Sequence, residues 1–152
     1  MKLAEALIDR ASCQKAIEQL QDRLRNIALV QQGEEPAEDP TYLLKELAAA
    51  NDRLTLLVQR INRTNAQTRI DNGETLTDLL ARRDILKKQY LFLHDFATTA
   101  TPKKDRFQPG QIKYLPSVSV PEIRKVADKV AAEYRVVEVK VQEVNWQVEL
   151  VE

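Results

Sequence analysis

PEIRKVADKVAAEYRVVEVKVQEVNWQVELV, residues 121–151, is the stretch on which the fold class turns. It is rich in valine, and Val137-Glu138-Val139-Lys140-Val141 alternates apolar and charged residues as a half-buried strand does. The longer pattern differs. Ile123, Ala127, Val130, Tyr134, Val137, Val141, Val144, Val148 and Val151 recur at steps of three and four, which sets them along one side of a helix. The strand-like alternation covers only residues 137–141, whereas the helical period runs through the whole stretch. The period therefore predicts a helix over 120–145, with Pro121 in the first turn, where its missing N–H costs nothing.

The same period appears three more times. Leu3, Ala6, Arg10, Cys13, Ile17, Leu20, Leu24 and Ile27 make one stripe, broken only by Arg10 and stopped by Gly33. Leu43, Leu47, Ala50, Leu54, Leu57 and Ile61 make a second, opened by Asp39 as N-cap and Pro40 at the first helical position. Leu76, Leu79, Arg83, Leu86, Tyr90, Leu93 and Ala97 make a third, ended by Pro102. The short acidic connection at 33–39 implies antiparallel neighbours. The expected fold is all-α: a long antiparallel helical hairpin over 1–63, further helices over 76–100 and 120–145, and coiled-coil-like packing in a single domain over 1–152. Short irregular or extended pieces are expected near 66–74, around Asp71-Asn72-Gly73, and near 111–116.

Composition agrees. Three glycines and few aromatic residues in 152 suit helix–helix seams better than a thick core. The formal net charge is zero, which gives no general attraction to nucleic acid or anionic membrane. The distribution is uneven. Eleven Lys/Arg face six Asp/Glu between Arg60 and Lys113, and three face six from Val126 onward. A lone cysteine, Cys13, at helical spacing from Ile17 reads as a core thiol and fits a reducing compartment. Charges at Glu5, Asp9 and Arg10 interrupt any export signal, and no apolar run reaches the roughly 18 residues of a membrane span. The expected location is the cytoplasm, with no membrane contact.

Little in the chain points to chemistry. One Cys and one His exclude a zinc cluster, no phosphate-binding loop or nucleophile elbow is present, and no cofactor is expected. His94 reads as a histidine bordering the core. Glu34, Glu35, Glu38 and Asp39 are accounted for by solvation and the helix N-terminus. Lys103, Lys104, Arg106, Phe107, Lys113 and Tyr114 form a basic loop with aromatics, a weak nucleic-acid signal. The candidate binding residues are Asn62, Arg63, Asn65, Arg69, Arg82, Arg83 and Asp84. Arginine forks suit phosphate and carboxylate, so these residues describe either an anion pocket or a structural polar plug. In the plug, Arg83 on its stripe pairs with a carboxylate such as Asp84 of another subunit or with backbone carbonyls. Narrow stripes leave side faces uncovered, so a homo-oligomer is expected. Trp146 reads as an anchor between helices or subunits.

Six stretches, GEEPAEDP at 33–40, INRTN at 61–65, TRIDNG at 68–73, LTDLLARRD at 76–84, IKYLP at 112–116 and EVNW at 143–146, span nearly the whole chain. In these the sequence resembles a bacterial family of unknown function whose members often carry the label septicolysin. The family pattern has Trp where this chain has Tyr114, and commonly Leu where it has Val144. The resemblance implies a small helical protein of unknown role. Its label implies a pore-forming toxin, against which stand the missing export signal, the missing apolar hairpin and the absence of a strongly basic helix face. The reading of the residues themselves is a non-catalytic, self-assembling helical interaction or structural protein. The alternative is a binder of a small anion or nucleic acid through the arginine-rich centre. An enzyme lacks an evident nucleophile or base.

Overall fold

The computed structural model describes residues 1–102, 110 and 112–152. Four helices account for the regular structure: α1 (Leu3–Asn26), α2 (Pro40–Gln67), α3 (Leu76–Thr99) and α4 (Val120–Gln147). Among the described residues there is no strand beyond two isolated bridges, Lys2 with Glu149 and Arg69 with Thr75. The valine-rich stretch is helical. Ala127, Val130, Val137, Val141 and Val144 are buried, whereas Val136 and Val139 are exposed; a strand would have set Val139 on the same face as Val137 and Val141.

The chain divides into two compact units, Met1–Thr75 with Glu143–Glu152, and Leu76–Gln142. In the first, α1 packs on α2. The contacts run in opposite order along the two segments: Asp9 lies 4.0 Å from Arg53, the Cys13 thiol donates to the Ala50 carbonyl at 3.3 Å, and Arg23 pairs with Glu38. Leu3, Ala6, Cys13, Ile17 and Leu20 of α1 are buried, as are Leu43, Leu57 and Ile61 of α2. The Cys13 thiol is therefore part of the core. Asp39 caps α2 as expected, its Oδ1 accepting from the Thr41 N–H at 2.9 Å, with Pro40 at the first position.

Two boundaries differ from the periodic reading. α1 ends at Asn26 rather than near Gln32, because Ala28, Leu29 and Val30 are exposed and give a further turn nothing to pack on. α2 runs on through Asn62–Gln67, a run of poor helix formers. Tertiary burial overrides their propensity, since Thr64 is fully buried. The segment after it is a tight turn with Gly73 at φ 84°, and residues 112–116 have no regular structure and are exposed.

In the second unit Leu76, Leu79 and Ala97 of α3 are buried, as are Ala127, Val130, Val137 and Val141 of α4. The stripe residues Arg83, Leu86, Tyr90 and Leu93 are half-buried between them in sequence.

Burial predicts the mutational pattern within one helix. Ile61 is 1% exposed and Leu56 61%. Ile61→Ala is expected to lower the unfolding free energy by about 2–5 kcal/mol and Leu56→Ala by less than about 0.5 kcal/mol, both read from urea unfolding.

Candidate functional site

The polar segment at the end of α2 is built around Thr64. Its hydroxyl donates to the Arg60 carbonyl one turn back at 2.8 Å and accepts from the Val151 N–H at 3.0 Å. The Arg60 Nε–H donates to the Val151 carbonyl at 3.0 Å, and Arg63 Nη1 to the Glu152 carbonyl at 3.2 Å. One helical turn thus holds the C-terminal residues by their backbone, satisfying groups that a chain end otherwise leaves to water. Asn62 is exposed and Asn65 half-buried. Arg69 Nη1 donates to the Gly73 carbonyl at 2.9 Å. The Asn72 Oδ1 accepts from the Glu74 N–H at 3.0 Å, so Arg69 and Asn72 fold the turn onto itself.

The two chain ends meet in the same unit. The Leu3 N–H donates to the Val148 carbonyl and the Leu150 N–H to the Met1 carbonyl, both at 2.9 Å. Glu149 pairs with Lys2 at 2.7 Å and with the N-terminal ammonium at 3.1 Å. The Lys2 contact, and after it the ammonium, holds the Glu149 carboxyl below the usual carboxylate range. At the other end of the helix pair the Arg23 guanidinium depresses Glu38 in the same way.

The remaining three candidates lie on α3 in the second unit. Arg82 and Asp84 are exposed and Arg83 half-buried. Arg83 holds Asp84 with a fork, Nε at 2.9 Å and Nη2 at 2.8 Å, and its Nε lies 3.8 Å from Glu138 Oε2. Its carboxylate partners are in its own chain. The seven residues therefore fall into two groups, Asn62, Arg63, Asn65 and Arg69 in one unit and Arg82, Arg83 and Asp84 in the other.

The second unit also has a cleft of about 350 Å³ lined by Tyr90, His94, Ala97, Thr98, Arg124, Ala127 and Asp128. His94 is exposed rather than bordering the core, with its ring centroid 6.1 Å from that of Tyr90. Arg124 and Asp128, one turn apart on α4, are residues the motif reading passed over; only their i, i+4 spacing marks them. Both are exposed, so solvent screens their charges. In the first unit, a shallow cleft of about 360 Å³ lies over Asp9, Ser12, Cys13, Ala16, Ala49, Ala50 and Arg53. It exists because alanines leave space between the helices. Of the basic loop, Lys103, Lys104, Arg106 and Phe107 lie outside the described residues, and Tyr114 is 85% exposed.

The Thr64 hub makes two predictions. Thr64→Val keeps the shape but strands the Val151 N–H, and is expected to cost about 1–3 kcal/mol in urea unfolding, against little change for Asn62→Ala. An unchanged midpoint for Thr64→Val contradicts the hub. Glu149 carries a pH signature. Because its folded pKa is depressed, its contribution to stability is complete above the ordinary carboxylate pKa and is lost as pH falls through the folded value. The stability difference between the native chain and Glu149→Gln is therefore expected at neutral pH and to vanish in acid, read from thermal midpoints across pH.

No curated protein matches the chain. A solved structure does, with 43% sequence identity, a TM-score of 0.91 and coverage of 99% of both chains; it is described as the crystal structure of a functionally unknown conserved protein from Corynebacterium diphtheriae. The model of the family described as "Family of unknown function (DUF6847)" matches residues 10–150. That match covers nearly the whole chain, so the chain belongs to this family of unknown function.

Proposed function

We propose that this chain is a non-catalytic, self-assembling helical protein of the cytoplasm, an interaction or structural module whose working form is a homo-oligomer. The observation that carries the reading is its surface. Large apolar side chains of the second unit stand in solvent: Ile85, Leu91 and Phe92 on α3, Val136 and Val139 on α4, and Ile112, Tyr114 and Leu115 before α4 are all more than half exposed. Exposed apolar patches mark interaction surfaces.

In this reading α1 and α2 form an antiparallel hairpin, supported by the opposite order of their contacts, and coiled-coil-like seams join the copies. The seven polar candidates serve architecture: Arg63 and Arg69 spend donors on carbonyls of their own chain, and Arg83 on Asp84. The single buried cysteine supports a reducing compartment. The septicolysin label gains nothing from the matched family or the solved relative, whose descriptions carry no such activity. Among the described residues no helix is long and apolar enough to cross a membrane.

Native mass spectrometry of the full chain, gently isolated at micromolar concentration, tests the proposal. The expected result is an integral multiple of 17.4 kDa without added mass. A mass of one chain at that concentration overturns it, and a reproducible small adduct on a single chain favours the anion-binding alternative.

A further inference from the structure

α3 carries two apolar stripes. One includes the buried Leu76, Leu79 and Ala97. The other lies roughly a third of a turn around the helix and consists of Ile85, Gln89, Phe92 and Phe96, at steps of four, three and four. These are the a and d positions of a short heptad seam. Ile85 is 61% and Phe92 64% exposed. The rings of Phe92 and Phe96 stack with centroids 5.8 Å apart and planes 8° apart, so the two aromatics present one preformed apolar surface. The register continues outward into Asp78 and Arg82 on one side and Thr99 on the other. An apolar centre between polar ends is the anatomy of a recognition surface, and clustered aromatics are the residues that dominate binding at such surfaces.

The edge of the seam says what covers it. Lys88 and Asp95 are one heptad apart on the same edge, both exposed. Two copies of α3 laid antiparallel and centred between Ile85 and Phe96 bring Ile85 of one copy opposite Phe96 of the other, and Gln89 opposite Phe92. In that geometry like edges meet, and Lys88 of each copy falls beside Asp95 of the second copy, twice by symmetry. A parallel pairing sets this edge against the one bearing Leu86 and Leu93 and leaves both charges unmatched. A single polar residue at a core position, Gln89, further restricts the register. The chain has no net charge to oppose self-association.

We propose that a second copy of this chain docks on the outer stripe of α3, antiparallel, in a closed two-fold contact through Ile85, Gln89, Phe92 and Phe96 with Lys88–Asp95 pairs along its edge. This rests on the self-assembly reading above and names its surface. A two-fold contact of this kind buries the same patch on both copies and closes on itself, so it predicts an even number of chains.

The test is sedimentation equilibrium of the full chain and four variants, with helix content checked by far-ultraviolet circular dichroism. Phe92→Glu is expected to halve the mass while helicity is kept, since Phe92 faces solvent in the single chain. Leu56→Glu, on the exposed side of α2, is expected to leave the mass unchanged. Lys88→Glu alone is expected to raise the dissociation constant about tenfold, and Lys88→Glu combined with Asp95→Lys to restore it. If the unaltered chain sediments as one copy, the self-assembly reading fails and the docking surface with it. If the unaltered chain is oligomeric and Phe92→Glu keeps its mass, self-assembly stands and this surface is wrong. Failure of the charge exchange to restore affinity, with Phe92→Glu dissociated, overturns the antiparallel register.

Discussion

A helix pair has one seam to bury, and the rest of each helix must face either water or another molecule. Everything in this chain follows from how that constraint is met. Where the stripe is narrow and its flanks are charged, as on α1 beyond Cys13, water is sufficient. Where a second apolar stripe runs beside the first, as on α3 with Ile85 and Phe92, solvent exposure is a standing cost of roughly 25 cal/mol per Å² of apolar area. The proposed docking of a second copy there would recover the cost and would link the periodicity of the sequence to self-assembly.

The unit built on α1 and α2 meets a different problem, two chain ends with unsatisfied backbone. The solution is local. Thr64 is fully buried and bridges its own helix to Val151, while Arg60 and Arg63 reach the last two carbonyls. Lys2 and the N-terminal ammonium hold Glu149 at the same end. Guanidinium groups read in isolation resemble an anion site, and here several of their donors already have carbonyl acceptors. The Asp84 partner of Arg83 works in the same sense, because a charge on a core stripe is tolerated only when it is paired. Arg10, the other charge on a stripe, has its Nε buried with no hydrogen-bond partner among the described residues, a residual cost of the α1 seam.

The fold class was legible because each helix repeats its apolar residues over several turns. Leu43, Leu57 and Ile61 are buried as their spacing requires, and Val130, Val137 and Val141 show that a valine-rich run still obeys the longer period. Thr64 was not legible as a hub, because its acceptor role depends on a backbone N–H 87 positions away, and no local pattern encodes that distance. For the same reason the continuation of α2 through Asn62–Gln67 could not be read from propensity. The early end of α1 depends on which residues find a partner, as Leu29 does not at 91% exposure. His94 faces solvent beside the half-buried Leu93, because adjacent helical residues point about 100° apart.

The dependence of thermal unfolding on protein concentration bears most directly on whether assembly belongs to the folded state. If copies complete one another's apolar surface, the folded form is favoured by mass action and its midpoint rises with concentration. The account predicts a progressive rise over roughly a hundredfold range of concentration. A midpoint that stays constant over that range would contradict it.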